Sequence, residues 1–260
     1  TCALPISSSV DGRWAYGDTL ARIDWGDRAV TETAKVGKAM VRTFYGRQQD
    51  KAYFAGCSTG GRMAAVEAQR YPRDFDGIIS GAPALDYTGL VATTFAWMAK
   101  ANTGPDGKPI MTTARAKLVE NAVYAACDGS DGARDGTIAD PRQCTFSPAS
   151  LACKPGGSQA ECLTEAEIGV VEKWYAGPKD ARGRQLYPGG LPPGSEPHWP
   201  RWLTGLGNAP AIMPLFGSGF IRNMAFAVDA RDAPKGTADF DFERDPGRMG
   251  EAARTYNAVT

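Results

Sequence analysis

The stretch Lys51-Ala-Tyr-Phe-Ala-Gly-Cys-Ser-Thr-Gly-Gly-Arg62 decides the fold of this chain. A short apolar run at 52–55 ends in the pattern Gly-x-Ser-x-Gly at Gly56–Gly60, and a helix-forming run follows from Gly61. In the order strand, sharp turn, helix, this pattern exposes a serine hydroxyl at the carboxyl end of a strand. The glycines prevent collisions with neighbouring backbone. We therefore expect Ser58 to be a nucleophile; the alternative is a glycine-rich turn with a solvated serine.

The composition is that of an ordinary globular protein, with 43% hydrophobic and 22% charged residues. The 260 residues suit one large domain or a domain with a big insertion. Lys plus Arg and Asp plus Glu number 29 each, and the resulting zero net charge argues against a nucleic-acid or anionic-membrane surface. Apolar runs are too short to span a bilayer. We expect neither nucleic acid nor membrane as a partner.

The cysteines indicate an oxidising compartment. Four of the six lie in one stretch rich in Gly, Pro, Ser and Asp, which favours disulfides over a zinc site, because the chain has no Cys-x-x-Cys pair. Residues 1–10 show no signal-peptide pattern of a basic region before an apolar stretch. We expect a secreted or periplasmic protein. The six positions are Cys2, Cys57, Cys127, Cys144, Cys153 and Cys162.

The first third of the chain has the pattern of a parallel α/β sheet, in which helices and strands alternate. Residues 1–25 indicate a loop, and Asp27 is placed to cap the first helix. Pro72 ends the helix that follows Ser58. The predicted elements are a helix at 28–44, a strand at 52–55, a helix at 61–71 and a strand at 75–79.

Beyond Pro83 the pattern changes to helices and long loops. Helices are predicted at 88–100, at 112–126 with a threonine cap, and at 164–175, where Thr164 opens a capping-box pattern. A parallel sheet built only from the first third cannot bury both of its faces. Either the remainder supplies strands that the pattern does not reveal, or the chain lacks part of its sheet.

A serine nucleophile needs a base, usually histidine, and a carboxylate that orients it. The one histidine, His198, lies between two prolines and follows Ser58 in the order expected for hydrolases with this pattern. No late core strand precedes it. We therefore expect a loop histidine packed beside Trp199 rather than the catalytic base.

A glycine-punctuated acidic loop follows Cys127 and carries Asp128, Asp131 and Asp135. Calcium binds several carboxylate and carbonyl oxygens, and such a loop can supply them. The loop lacks the later Glu of an EF-hand, and Asp-Gly pairs also favour Asx turns. Spacing alone does not decide between a calcium site and plain turns.

Three segments together strongly resemble the tannase and feruloyl esterase family, which includes mono(2-hydroxyethyl) terephthalate hydrolase. They are Gly56–Arg62, then Glu67-Ala-Gln-Arg-Tyr-Pro72, and Phe75-Asp-Gly-Ile-Ile-Ser-Gly-Ala-Pro83. The preceding 23–33 and the acidic loop match as well. The resemblance runs with gaps from about Asp11 to the C-terminus, and its first third is the most specific.

The resemblance implies an α/β fold, a partial α/β-hydrolase core with a large, mostly helical and loop-rich lid insertion. By this resemblance, residues 1–87 form the partial core with the nucleophile, 88–250 form the lid, and 251–260 return toward the core. The early strands and the second oxyanion donor of the family would lie before Thr1.

The resemblance also implies roles for particular residues. Ser58 matches the nucleophile, and the backbone N–H of Thr59 matches an oxyanion-hole donor. Tyr87 is a candidate for the pocket that holds the aromatic acid, as are Phe216 and Phe220, although such aromatics are more often lid core. A structural Ca²⁺ would be held by Asp128, Asp131 and Asp135 with the carbonyls of Ala133 and Thr137, and disulfides would join Cys127 to Cys144 and Cys153 to Cys162.

The sequence departs from the family at the residues that would complete the catalytic site. The family pairs the cysteine beside the nucleophile with a cysteine directly after the catalytic histidine, but Trp199 follows His198 here. Residues 1–8 do not resemble the family. We expect an incomplete member that holds the nucleophile and lid, while the catalytic acid and base lie outside the chain.

The expected activity of the complete protein is hydrolysis of small-molecule esters of aromatic acids through an acyl-serine intermediate. A different class of function stays open, a calcium-stabilised, non-catalytic module in which the serine motif is a relic. Calcium-dependent stability without ester turnover would favour the module. A cysteine nucleophile at Cys57 is the weakest alternative, because Ser58 holds the corner position. The sequence does not identify the acid or the oligomeric state.

Overall fold

A computed structural model describes residues 10–156, 158–228 and 230–258. Cys2 and the segment 1–8, whose partner and origin the sequence left open, lie outside the described residues. The chain divides into two compact units: unit 1 takes Thr1–Ala92, Gly219–Ala233 and Arg244–Thr260, and unit 2 takes Thr93–Ser218 and Pro234–Glu243. The predicted lid, 88–250, thus spans unit 2 and parts of unit 1, and its boundaries stay a prediction.

Helices dominate the chain, and two strands interrupt them early. The elements are α1 (Thr19–Ile23), α2 (Ala29–Tyr45), β1 (Tyr53–Cys57), α3 (Thr59–Arg70), β2 (Gly77–Gly81), α4 (Phe95–Ala101), α5 (Thr113–Cys127), α6 (Glu165–Ala176), α7 (Ile212–Asn223), α8 (Asp245–Arg248) and α9 (Gly250–Tyr256). Short 3₁₀ turns lie at Arg13–Ala15, Pro141–Gln143, Pro148–Leu151, Gln159–Glu161 and Glu196–His198, and π turns at Asp24–Arg28, Thr88–Thr94 and Pro200–Thr204. Among the described helices, none is long and apolar enough to cross a membrane.

Unit 1 is built around a β–α–β element. Strands β1 and β2 pair in parallel, with Tyr53 opposite Gly77 and Cys57 opposite Gly81, and α3 connects them. The predicted strand, helix and strand are therefore present. The second strand runs two residues beyond the predicted end, to Gly81, whose carbonyl accepts a hydrogen bond from the Ser58 N–H at 3.0 Å.

The first helix begins earlier than predicted, so the predicted loop is wrong for residues 19–25, and the predicted Asp27 cap is wrong. Helical backbone continues from α2 back through the π turn Asp24–Arg28 into α1. The carboxylate of Asp18 caps this longer run by accepting from the Ala21 N–H at 2.9 Å. The added turn is held by tertiary contacts, because Arg22 donates to the carbonyls of Ala15, Asn223 and Phe226.

Unit 2 has a hydrophobic core of its own, formed chiefly by α4, α5 and α6. Trp174 is fully buried, donates its indole N–H to the Met98 carbonyl at 3.0 Å and packs edge-on against Trp199. The predicted caps are confirmed. The Thr112 hydroxyl caps α5, and Thr164 exchanges hydrogen bonds with Glu167 in a capping box.

Two disulfides close the loops of unit 2, Cys127–Cys144 and Cys153–Cys162. Both pairings predicted from the family resemblance are confirmed. They cross-link segments that contain little regular secondary structure. In the unfolded chain these cross-links reduce conformational entropy in the segments where packing contributes least to stability. Cys57 in unit 1 is a free and exposed thiol.

Unit 1 presents an uncovered apolar surface. The described residues form one sheet of two strands, and Tyr53 on β1 is 72% exposed. On α2 an apolar stripe faces solvent at Val36, Met40 and Phe44, with Phe44 82% exposed. Contiguous exposed apolar surface of this kind normally marks a region that other polypeptide covers. That the sheet lacks elements stays a prediction.

A buried carboxyl group lies on the side of α3 that faces α2. Glu67 is fully buried, and the hydroxyl of Thr31 donates to Asp74 at 2.8 Å and lies 3.5 Å from Glu67 Oε2. Burial, followed by the charge of Asp74, raises the pKa of Glu67 to about 7, although the Thr31 hydrogen bond opposes the shift. The folded protein therefore keeps this side chain protonated over a pH range in which the unfolded chain ionises it.

The free energy of unfolding should therefore fall as pH rises from the ordinary glutamate value of 4.5 to about 7. Replacing the group, Glu67→Gln, removes this contribution, so the variant should gain stability relative to the wild type between about pH 5 and about pH 8. Urea unfolding at the two pH values measures the change. Glu32→Gln, on the exposed face of α2, is the control and should show no such pH-dependent gain. If the free energies of unfolding of Glu67→Gln and wild type change with pH in the same way, the prediction is contradicted.

Candidate active site

Ser58 is the single residue between the end of β1 and the start of α3. Its backbone has φ 60° and ψ −118°, a conformation that side-chain-bearing residues rarely adopt and that costs on the order of 1–3 kcal/mol. Hydrogen bonds hold this conformation on both sides. The Ser58 N–H donates to Gly81, and the Ser58 carbonyl accepts from the Arg62 N–H at 3.0 Å. The predicted strand, corner and helix are thus all present.

Glycines flank the corner because backbone approaches there leave no room for a Cβ atom. A Cβ on Gly56 would lie 2.2 Å from the Gly60 carbonyl oxygen, and one on Gly61 would lie 2.3 Å from the Gly81 carbonyl oxygen. A Cβ on Gly60 would meet nothing within 4 Å. The close packing of corner and strand therefore depends on Gly56 and Gly61, while Gly60 tolerates a side chain.

The Ser58 side chain is exposed and makes no capping hydrogen bond to α3. Ser58 occupies the N-cap position of this helix of 12 residues, whose first N–H groups lack intrahelical partners. Those groups, beginning with Thr59, favour negative charge. The arrangement can present a hydroxyl to an electrophile and stabilise an oxyanion beside it. The roles of Ser58 and Thr59 stay predictions.

Tyr87 lies next to the corner and is buried at 5% exposure. Burial raises the pKa of its phenol, and the opposing effects are the charge of Arg62 and a side-chain hydrogen bond with Thr59. The hydroxyl therefore stays protonated and is in contact with the residue after Ser58. Its ring packs edge-on against Trp25, with 5.2 Å between ring centroids.

Of the two other predicted pocket residues, the structure brings Phe220 to Tyr87. The Phe220 ring is buried and packs edge-on against Tyr87 at 5.2 Å and Tyr256 at 5.5 Å, all within unit 1. Phe216 lies one turn earlier on α7, is half-buried and belongs to unit 2. Substrate contact by these aromatic residues stays a prediction.

His198 lies in unit 2 and is exposed. It ends the 3₁₀ turn Glu196–His198, so the predicted loop is a short helical turn. The neighbouring Trp199 is buried and packs against Trp174 and Tyr175. Since the chain has one histidine, unit 1 contains no imidazole that could serve Ser58 as a base.

The acidic loop is ordered by hydrogen bonds from its own backbone. Asp128 Oδ1 accepts from the N–H groups of Gly136 and Thr137 at 3.0 and 3.1 Å. Asp131 and Asp135 accept from the N–H groups two residues later, as in Asx turns. Across the described ranges, no three acidic, cysteine or histidine side chains are grouped so as to hold a metal ion. The donors have the chemistry that calcium prefers, and the site stays a prediction.

One residue of the corner received no role from the sequence. Arg62 is fully buried although it is charged, and it lies on the first turns of α3. The sequence feature that could have indicated a role for Arg62 is its position one helical turn after Ser58. Sequence alone does not reveal what such an arginine contacts.

Comparison with known proteins identifies the family. The sequence profile of the family "Tannase and feruloyl esterase" matches residues 7–257, and the chain belongs to that family. An uncharacterised esterase of Xanthomonas campestris is 36% identical over 239 residues, covering 89% of this chain and 39% of that protein. The mono(2-hydroxyethyl) terephthalate hydrolase of Piscinibacter sakaiensis is 36% identical over 196 residues, covering 68% of this chain and 32% of that protein.

The fold has a counterpart among solved structures. The crystal structure of feruloyl esterase B from Aspergillus oryzae matches with a TM-score of 0.77 and 29% identity, covering 95% of this chain and 48% of that one. This confirms the predicted fold class, a partial α/β-hydrolase core with a mostly helical, loop-rich insertion. The chain spans less than half the length of the proteins it matches.

The crowding at Gly56 predicts a large difference between two neighbouring substitutions. Gly56→Ala should lower the free energy of unfolding by about 1–3 kcal/mol or more, because the new methyl group overlaps backbone that cannot move away. Gly60→Ala is the matched control and should change stability by less than about 1 kcal/mol. Urea unfolding of the two variants measures both. Equal effects would show that the corner is not closely packed.

Proposed function

We propose that the protein containing this chain hydrolyses carboxylic esters of aromatic acids through an acyl-serine intermediate. The observation that carries the proposal is the exposed Ser58 side chain at a strained strand-to-helix corner, at the N-terminus of α3. Membership of the tannase and feruloyl esterase family supports ester hydrolysis as the reaction. The exposed hydroxyl and the first N–H groups of α3 support a nucleophile and an adjacent oxyanion donor, the two groups that acyl transfer needs first.

In the proposed reaction, Ser58 Oγ attacks the ester carbonyl carbon while a base removes the hydroxyl proton. The Thr59 N–H stabilises the oxyanion, and one such donor is typically worth about 3 kcal/mol. The proton then passes to the alcohol, which leaves as the acyl-serine forms. Water attacks the acyl-serine in the second step, releases the aromatic acid and returns the proton to Ser58.

We further propose that the base and the orienting carboxylate belong to polypeptide outside this sequence. Unit 1 holds no histidine, and His198 is exposed in unit 2. The uncovered apolar stripe of α2 and the two-stranded sheet of the described residues are surfaces that further core elements would bury. Such elements are also the expected carriers of a catalytic histidine.

The aromatic character of the acid rests on the relatives and on the rings near the corner. The matched proteins include a feruloyl esterase and a mono(2-hydroxyethyl) terephthalate hydrolase. We propose Tyr87 and Phe220, both in unit 1, as pocket residues. The two disulfides support a secreted or periplasmic location for the protein.

A fluorophosphonate probe tests the nucleophile. In a longer polypeptide that supplies the base, the probe should add to Ser58, located by mass spectrometry of the digested protein. Ser58→Ala should abolish both labelling and ester turnover, because it removes the attacking oxygen. Cys57→Ala, at the adjacent exposed position, should still be labelled at Ser58. Labelling at any other residue would discard the assignment.

We also propose that Ca²⁺ stabilises unit 2 through the Asp128, Asp131 and Asp135 carboxylates and the carbonyls of Ala133 and Thr137. The loop carries three carboxylates within a short, turn-rich segment, which suits a hard cation. The ion would act on folding and takes no part in the proposed reaction.

Chelation should then lower the melting temperature of the chain. Saturating calcium at about 100 times its Kd contributes about 2.7 kcal/mol. Asp131→Asn should abolish the difference between calcium and chelator by removing one anionic ligand. Asp106→Asn is the matched control, because Asp106 accepts a similar backbone hydrogen bond in another loop of unit 2. It should keep the calcium response. If chelator does not change the melting temperature of the wild type, the loop consists of plain Asx turns without bound calcium.

A further inference from the structure

A buried cation lies directly beneath the serine corner. Arg62 follows Ser58 by one helical turn, and its backbone N–H donates to the Ser58 carbonyl at 3.0 Å. Its side chain is fully buried, and burial lowers the pKa of the guanidinium to about 10. The group is therefore still charged at neutral pH. Keeping a charge in the core is costly unless its surroundings satisfy it.

Backbone carbonyl groups, instead of a carboxylate, surround this guanidinium. One terminal nitrogen donates to Gly26 at 2.7 Å and Tyr256 at 3.2 Å, and the other donates to Trp25 at 3.0 Å. Within the described ranges no ion pair involves Arg62, and its Nε has no hydrogen-bond partner. The side chain thus ties α3 to the π turn Asp24–Arg28 and to the end of α9.

The same guanidinium lies over two aromatic rings. Its central carbon is 4.7 Å from the ring centroid of Trp25 and 5.8 Å from that of Tyr87. These distances are in the range of cation–π contacts. Since Tyr87 packs against Trp25 and its hydroxyl interacts with the Thr59 side chain, a set of neighbouring groups runs from Arg62 through the two rings to the residue after Ser58.

We propose that Arg62 is a positioning residue for the ester-hydrolysing site, an inference that rests on the proposed function of Ser58. Its planar fork holds the carbonyls of Gly26, Trp25 and Tyr256 at once and orients the rings that support Thr59. The oxyanion-hole N–H and the Ser58 hydroxyl thereby keep their geometry during the reaction. A lysine ammonium cannot replace this fork, because it has neither the planar shape nor the paired donors.

The kinetic test uses Arg62→Lys and Arg62→Met in the longer polypeptide that supplies the base. Each variant should lower kcat by about 10–100-fold, as expected for a small displacement of reacting groups, with KM changed by less than about twofold. Fluorophosphonate labelling of Ser58 should slow in proportion. Arg70→Met is the control on the same helix, because Arg70 is partly exposed and paired with Asp27, and it should leave kcat unchanged.

A second measurement needs no turnover. In this 260-residue chain, hydrogen exchange of the peptide 53–62 should accelerate in both Arg62 variants, while the α5 and α6 peptides of unit 2 exchange as in wild type. If kcat per folded molecule matches wild type in both Arg62 variants, the inference is overturned, whether or not the local exchange changes. If Arg62→Lys has the kcat and local exchange of wild type while Arg62→Met does not, the positive charge is what the site needs, and the proposed role of the planar guanidinium is wrong.

The two proposals fail in distinguishable ways. An inactive wild type with unlabelled Ser58 would refute ester hydrolysis by this serine, and unchanged local exchange would then also refute positioning by Arg62. An active wild type that loses activity in Ser58→Ala but keeps full kcat in both Arg62 variants would refute only the positioning role.

Discussion

The backbone conformation of Ser58 is the constraint on which the candidate site depends. A residue with φ 60° and ψ −118° persists only where its surroundings fix it. Here the adjoining glycines allow α3 to start against the strands without a Cβ between them, and the Gly81 carbonyl holds the Ser58 N–H. This backbone conformation directs the Ser58 hydroxyl away from the sheet. The chemistry proposed for the serine and the local stability of the corner therefore depend on the same conformation.

Buried polar groups as well as apolar side chains hold α3, the helix after Ser58, in unit 1. Glu67 lies between α3 and α2 with its pKa raised to about 7 by burial, and Arg62 joins α3 to backbone carbonyls of the π turn and α9. Buried polar groups of this kind cost free energy, but when satisfied they select one arrangement among several that apolar packing alone would allow. This matters in a unit whose two strands and α2 leave apolar surface uncovered.

Unit 2 is stabilised differently. Its core is apolar and includes the buried Trp174, α5 and α6 begin at local caps, and two disulfides restrain the loops between them. Such a unit can fold around its own core without adding strands to a sheet. The acidic loop adds a feature whose turns already satisfy part of each carboxylate, so a bound cation would add to an existing local structure.

The sequence by itself determined the features that depend on neighbours in the chain: the corner at Ser58, the Thr164 capping box and the α/β class. These are set by backbone sterics and by hydrogen bonds over a few residues, so a local pattern is enough to predict them. Only the tertiary structure decided that Asp18 rather than Asp27 begins the first helix, that Phe220 reaches Tyr87, and that Arg62 is buried among carbonyls. Each of these depends on groups distant in sequence, whose burial and hydrogen bonds exist only once the chain has folded.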